Sequence, residues 1–453
     1  IRKIDLPKES LKANVEEPIN YKVITENNLN ELILTKDYSI YLELFGYNYH
    51  KCDVIGVGIY NGGENYYIPY SVLINNSDLL ENGYNCYSYD IKKVIVALSH
   101  NNIKLDKCNY DLMIANYLLN QNVKDDIAYA MNNSGVNVNF YENSFGVDGK
   151  LKMPDEDIVV KDIMKKAKFI YDTREETLTK IKNEECEYLF EKIEMPLVYV
   201  LADMEITGIK VDRKYLEDLS SELEIRMNNL TNDIYSLAGE EFNISSPKKL
   251  GEILFVKLGI PYPKRIKDNN FSTSKDILDK IIDFHPIVAK IEEFRLVFKL
   301  YRNYAVGLLN EVDNTDRIHT MFNQTLTRTG RLSSSNPNLQ NIPIRIEEGR
   351  LIRKAFIAED NSKIMSSDYS QIELRILAHM SNASNLIDAF VSDKDIHRKT
   401  ASDIFGISEE EVTSMQRYQA KAVNFGILYG ISSFGLSEDL NIDVKDAKKF
   451  INS

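Results

Sequence analysis

Arg417-Tyr-Gln-Ala-Lys421-Ala-Val-Asn-Phe425-Gly426-Ile-Leu-Tyr429-Gly430 sets two cations and then two aromatic rings at steps of four residues. Each such step drifts only about 40° around a helix, so the spacing predicts one gently winding stripe. Cations followed by rings suit a triphosphate followed by a base: the charges neutralise phosphates, and the rings stack on or exclude parts of a nucleotide. The bland alternative is a helix with a solvated basic start and an apolar end. Gly426 and Gly430 weigh against it, since each costs roughly 1 kcal/mol in a helix interior and usually has a packing reason.

Three earlier segments carry compatible chemistry. Ile364-Met-Ser-Ser-Asp368-Tyr-Ser-Gln371-Ile-Glu373-Leu-Arg ends an apolar run at Asp368 and begins a helical period at Ile372. A carboxylate at a strand end beside a turn into a helix is well placed to hold Mg²⁺, or else to cap the helix. Asp395-Ile-His397-Arg398-Lys-Thr400 groups a histidine with two cations; a lone histidine is more often structural, and the cations bring a phosphate-binding reading level with that one. Thr327-Arg-Thr-Gly-Arg331-Leu-Ser-Ser-Ser-Asn-Pro-Asn338-Leu-Gln340-Asn341-Ile-Pro343 is dense in amides, hydroxyls and arginine and poor in core formers. Such side chains hydrogen-bond sugars, phosphates and base edges, although a bland surface loop has the same composition.

The net charge argues the other way. With 68 Asp+Glu against 55 Lys+Arg, the 453 residues carry −13, and phosphate binding needs local positive charge. The excess is uneven: residues 1–172 and 173–320 carry −6 each, and residues 321–453 only −1. Between Lys257 and Lys275 five basic residues face one acid, and between Arg328 and Lys354 six face two. Both stretches are punctuated by Gly, Pro, Ser and Asn, as loops are. No apolar run approaches the ~18–20 residues of a membrane span, and Ile1-Arg2-Lys3 opens no signal peptide. A start at Ile suggests a piece of a longer protein. Cys52, Cys86, Cys108 and Cys186 show no CxxC spacing, which disfavours a disulfide framework or a zinc site and favours a reducing cytoplasm.

Periodicity divides the chain. Strands are predicted over Ser39–Leu44, Val54–Tyr60 and Tyr66–Tyr70, and helices over Ile91–Ser99 and Tyr110–Leu119, giving an α/β domain that ends near Asp172. Helices then dominate: Met195–Met204 up to Gly208, Arg213–Leu237, a start at Ser246-Pro247, and Ile277–Leu309. Strands return past Arg317 and helices resume from Ser381.

Thr327–Arg345, Asp368–Arg375 and Arg417–Gly430, found together and in this order, resemble the signature motifs of family A DNA polymerases, in particular of their large (Klenow-type) fragments. The resemblance runs from about Met195 to Ser453 and includes Phe242-Asn-Ile-Ser-Ser-Pro-Lys and Phe271-Ser-Thr-Ser. It implies an α+β multidomain fold: a degenerate RNase H-like 3′–5′ exonuclease domain over 1–172, then a right-hand polymerase. That hand would comprise a helical thumb (173–320), the N-terminal part of an antiparallel-sheet palm (321–380) and of helical fingers (381–453). Asp368, with the carbonyl of Tyr369 nearby, would hold the two Mg²⁺ ions of nucleotidyl transfer. Arg417, His397 and Lys421 would grip the dNTP triphosphate, with Lys421 also protonating the leaving pyrophosphate. Glu373 would exclude a 2′-hydroxyl and Gln371 would position the sugar and primer end. Phe425 would discriminate against dideoxynucleotides, and Tyr429 would pack near the templating base. Arg331, Asn338, Gln340 and Asn341 would contact the minor groove of the primer–template, and Lys264, Arg265 and Lys267 would form the thumb tip.

Two departures from the family pattern matter. The exonuclease's Asp-x-Glu reads Tyr41-Leu42-Glu43, and Val94 and Lys166 fall at two further acid positions, with Asp90 close to the first. Lysine cannot coordinate Mg²⁺, so a proofreading-dead scaffold is expected. The family's third polymerase motif, a His-Asp-Glu, lies more than a hundred residues beyond the Arg417–Gly430 helix, and no His-Asp dipeptide occurs in this sequence. The leading expectation is a bacterial cytoplasmic, nucleoid-associated, monomeric DNA polymerase with DNA and dNTP as partners and no membrane, seen as an incomplete chain. The runner-up is a non-catalytic primer–template or nucleotide-binding module; a working exonuclease is disfavoured by the lost acids.

Overall fold

The computed structural model describes residues 19–34, 36–120, 123–263, 271–344, 347–392, 395–428, 430–440 and 442–452. They fall into two compact units, 1–363 and 364–453.

In the first unit Lys22–Val23 (β1), Tyr38–Phe45 (β2), Asp53–Tyr60 (β3), Asn65–Pro69 (β4), Cys86–Ser88 (β5) and Cys108–Asp111 (β6) form one mixed sheet of order β1-β4-β3-β2-β5-β6. Seven of the eight residues of β2 are buried, a continuous run that requires cover on both faces. The register between β2 and β3 slips at Glu43/Leu44, and such bulges re-aim a side chain. Helix α1 (Ile91–Ser99) follows β5, and α2 (Leu112–Leu118) follows β6. The predicted Tyr110–Leu119 helix thus begins two residues late. Tyr110 and Asp111 pair in parallel with β5, and the Asp111 carboxylate caps α2 by accepting from the N–H groups of Met113 and Ile114.

Helix α3 (Glu156–Asn183) crosses β2 and β3 and runs unbroken through Asp172. Gly58 on β3 permits this approach, since a Cβ there would lie 2.3 Å from Met164 Cε and 2.6 Å from Ile163 Cγ2. The sheet's core extends to Met195, Val198 and Ala202 of α4 (Met195–Thr207). That helix ends at Gly208, whose φ of +61° sets the His319 ring 2.7 Å from where a Cβ would sit.

A second core serves the rest of the unit. Asp212 caps α5 (Arg213–Ala238), and Gly239, at φ +71°, ends it. Leu216, Leu219, Leu223, Leu230 and Ile234 pack with Ile287, Val288, Ile291, Phe294 and Val297 of α6 (Pro286–Leu300). Arg226 and Glu293 bridge the two helices at 2.8 Å. Met321–Asn323 (β7) and Ser333–Ser335 (β8) form a two-stranded antiparallel sheet.

The second unit is helical: α7 (Ile372–Ser381), α8 (Ser384–Val391), α9 (Ile396–Phe405), α10 (Ser414–Leu428), α11 (Ser433–Leu440) and α12 (Val444–Asn452) pack around three small clusters. The expected strand leading to Asp368 is not formed. A strand exists through its neighbour's hydrogen bonds, and residues 362–369 form no regular element and have no strand partner among the described residues, Met365 being 89% exposed. The fold is α+β with a helical majority. Among the described residues no helix is long and apolar enough to cross a membrane.

Candidate functional site

In the second unit one carboxylate organises the cationic cluster. Asp395 caps α9: its Oδ1 accepts from the backbone N–H of His397 (3.0 Å) and Arg398 (3.2 Å). Its Oδ2 accepts from Arg417 Nε of α10 at 2.6 Å. Burial works against the charge on Asp395, but the Arg417 contact and the cap bonds prevail and hold its carboxyl below the usual range. His397 is buried (2% exposed) and its pKa is lowered, first by burial and then by Arg417 and Lys421 against the opposing pull of Asp395. The imidazole is therefore neutral at pH 7.

Lys421 lies one turn after Arg417 and is exposed. Phe425 continues the α10 backbone one turn further; its side chain and the whole of Tyr429 lie outside the described residues. Arg398, counted with the phosphate-facing cations in sequence, instead donates to the carbonyls of Glu409 (2.8 Å) and Val412 (3.2 Å) and closes the connection between α9 and α10. Lys399 pairs with Asp403 one turn along its own helix.

Asp368 and Tyr369 are exposed and precede Gln371, which turns the chain into α7 at φ +52°. Glu373 sits half-buried in the first turn of that helix. The Asp368 carboxylate makes no hydrogen bond or ion pair among the described residues, so its lone pairs suit a hard cation such as Mg²⁺. No group of three His, Cys, Asp or Glu able to hold a metal exists among the described residues. The donors fit a divalent cation in kind, with one anchoring carboxylate.

In the first unit the Thr327–Asn341 segment is pinned from beneath. Thr320 and Ser334, both buried, share a hydrogen bond of 2.7 Å, and Ser334 Oγ accepts from Leu339 N at 3.0 Å. Tyr117 Oη donates to the carbonyl of Thr327 at 2.7 Å, and Tyr304 Oη to that of Asn341. Arg331, Asn338, Gln340 and Asn341 are left exposed on this scaffold. Lys264, Arg265 and Lys267 lie outside the described residues.

The α/β body places Glu43 against Lys166, Nζ to Oε2 2.5 Å, with both side chains buried. The same ammonium lies 4.8 Å from the centre of the Tyr41 ring. Val94 is fully buried in the core, and Asp90 caps α1 by accepting from Lys93 N at 3.3 Å. Tyr41, Glu43, Asp90, Lys93 and Asp111 line a cavity of about 400 Å³. Burial, and then the neighbouring Asp90, raise the Asp111 carboxyl to about 6.

Sequence reasoning quoted Asp395, Thr400 and Asn424 without assigning them a role. Only the start pattern Asp-x-His-Arg, an acid ahead of a helix, signalled the cap.

Residues 213–453 match the sequence profile of DNA polymerase family A, and residues 40–173 that of the DNA polymerase I ribonuclease H-like domain. DNA polymerase I of Bacillus subtilis (strain 168) is 43% identical over 444 residues, 96% of this chain and 50% of that protein. DNA polymerase I of Geobacillus stearothermophilus is 43% identical over 433 residues, 94% of this chain and 49% of that protein. The chain thus spans about half the length of the curated relatives it matches. The structure of the POL domain of Pol1 from M. smegmatis, in complex with DNA primer-template and dNTP, superposes with a TM-score of 0.75 at 29% identity. That match covers 92% of this chain and 72% of the other.

Proposed function

The chain belongs to DNA polymerase family A, and on that premise we propose that it carries the nucleotide-gripping part of a DNA-templated DNA polymerase. The reaction is transfer of a nucleotidyl group from a dNTP to a primer 3′-hydroxyl. The observation that carries this reading is the tie between α9 and α10: Asp395 holds Arg417 beside His397, and Lys421 follows one turn along α10. These three side chains would receive the triphosphate, and Lys421 would give a proton to the departing pyrophosphate. Charge-assisted bonds from Arg and Lys to phosphate are the strong kind. Gln371 would position the sugar and the primer end; Phe425 and Tyr429 would face the sugar and the templating base.

Asp368 and the Tyr369 carbonyl would anchor Mg²⁺, which when bound lowers the cost of forming the attacking oxyanion and of charge build-up on pyrophosphate. Arg331, Asn338, Gln340 and Asn341 would contact the minor groove. Its acceptors are alike for every correct pair, so contact there checks shape without reading sequence. Lys264, Arg265 and Lys267 would grip the duplex. The protein would act as a monomer in a bacterial cytoplasm.

Primer extension by the full-length protein tests the reading. A specific consequence concerns Glu373: Glu373→Ala should lower discrimination between dNTP and rNTP, measured as the ratio of kcat/KM values, at least about tenfold, or roughly 1.4 kcal/mol. Unchanged sugar selectivity removes the role assigned to Glu373.

One observation favours a second reading, a non-catalytic binding module: among the described residues Asp368 belongs to no group of three His, Cys, Asp or Glu that could hold a metal. Failure of the full-length protein to extend a primer, with dNTP binding retained, would select that reading.

The α/β body is proposed to be inactive as a proofreading nuclease. Where two-metal hydrolysis needs carboxylates, Lys166 neutralises Glu43, and Val94 is core. Single-stranded DNA incubated with the chain and Mg²⁺ should stay full length on a sequencing gel. Mg²⁺-dependent shortening that survives removal of contaminating nuclease would overturn this.

A further inference from the structure

The hydrogen bonds between α9 and α10 have a direction that can be worked out from proton counts. Thr400 Oγ1 lies 2.8 Å from the carbonyl oxygen of Ile396, one turn back in its own helix. A carbonyl can only accept, so the single hydroxyl proton of Thr400 points there. Toward Asn424, 3.0 Å away, Thr400 Oγ1 can therefore only accept. The amide atom facing it must be the nitrogen Nδ2, which fixes the orientation of the Asn424 side chain. That same nitrogen lies 3.1 Å from His397 Nδ1. One of its two protons is given to Thr400, and the other is directed at the imidazole. His397 Nδ1 must then be the unprotonated ring nitrogen, and the neutral ring carries its proton on Nε2.

We propose that Asn424 is a positioning residue that fixes His397 as the Nε2–H tautomer, so that the ring donates a hydrogen bond to a triphosphate oxygen without carrying a charge. The proposal rests on the reading of His397 as a triphosphate ligand. A ring forced to be neutral but of free tautomer would present a lone pair, not a proton, to an anion part of the time. Asn424 removes that state. It also opposes protonation, because an Nδ1–H would meet an amide N–H head on. Among the described residues, the charged groups acting on the ring are Asp395 from the start of α9 and Arg417 and Lys421 from α10. The two cations reinforce neutrality. A neutral donor keeps its function as pH rises, whereas an imidazolium would lose its proton.

Asn424→Asp reverses the logic. A carboxylate accepts from Nδ1–H, which moves the proton of the neutral ring off Nε2 and favours the imidazolium. Steady-state extension by the full-length protein, with dNTP as the varied substrate, should show a KM independent of this group from about pH 6 to pH 9 in the unsubstituted enzyme. In Asn424→Asp, KM should be near the unsubstituted value at about pH 6, where both ring nitrogens carry protons, and rise about tenfold or more toward pH 9. That added pH dependence should vanish when Asn424→Asp is combined with His397→Gln, whose amide donates without titrating. A merely structural role for Asn424 would raise KM equally at all pH values, and that result overturns the proposal.

His397→Ala separates the two claims. If it leaves KM for dNTP unchanged, the reading of His397 as a triphosphate ligand fails. If it raises KM while Asn424→Asp keeps the unsubstituted pH profile, the role of Asn424 alone fails. Should Asn424→Asp not fold, ¹⁵N NMR of the histidines in the unsubstituted protein reads the tautomer directly: protonated Nε2 supports the assignment and protonated Nδ1 overturns it.

Discussion

Asp368→Ala in the full-length protein should reduce primer extension by roughly a thousandfold or more, about 4 kcal/mol of transition-state stabilisation. Asp368 is an exposed carboxylate with no partner among the described residues, so its loss leaves no buried group unsatisfied and no packing gap. The melting temperature should stay within a degree or so, since surface substitutions of this kind change stability by at most about 0.5 kcal/mol. Binding of dNTP should also survive, because Arg417 and His397 are organised by Asp395 and Asn424 and not by Asp368. A loss of kcat at nearly constant dNTP affinity is thus the expected signature. Extension at the unsubstituted rate would remove Asp368 from the catalytic group altogether.

Glu205→Ala should strongly destabilise the first unit. Glu205, on α4, is fully buried, and four groups converge on its carboxylate. Lys92 Nζ on α1 lies 2.7 Å away, Tyr49 Oη donates at 2.8 Å, the backbone N–H of Phe322 on β7 donates at 2.7 Å, and His50 Nε2 lies at 3.5 Å. Removing the carboxylate leaves a buried ammonium and a buried N–H uncompensated, a loss of about 3–5 kcal/mol. In urea that should lower the midpoint of unfolding by roughly 1–2 M, while an unchanged midpoint would show that water or a shifted partner compensates.

The same site predicts a pH dependence. Burial works against ionisation of Glu205, yet His50, Lys92 and the Phe322 N–H outweigh it, and its carboxyl is held below the usual range. A group whose folded pKa is depressed contributes stability that is fully present above the unfolded value, about 4.3, and is lost as pH falls through the folded value. Acid unfolding of the unsubstituted protein should therefore carry a component that Glu205→Gln removes.

Much of the fold was legible in the residues because period records burial within one element. Ile91–Ser99 and the Arg213 start of α5 fall where the pattern places them, and the strands differ from expectation by one residue at their ends. Errors arose where a neighbour decides. Tyr110–Asp111 is strand because β5 lies beside it, and Ile364–Asp368 is not strand because no described strand does. At the candidate site, the spacing of Arg417 and Lys421 was enough to set both on one helix. Asp395 shows in the sequence only as an acid ahead of a helix, and neither its hold on Arg417 nor the contact of the Asn424 amide with His397 has a periodic signal.

Taken alone, the sequence determined most of the helices and the strands of the first sheet to within a residue or two, the family to which the chain belongs, and the order of its motifs, because those properties are written in local spacing and residue type. Tertiary structure alone decided the pairings that set chemistry: Lys166 on Glu43 across 123 residues, Lys92 on Glu205 across 113, and Asn424 on His397 across 27. A charge or an amide acquires its protonation and its partner from what packs against it, and packing over such separations depends on the relative placement of whole elements, which no local pattern encodes.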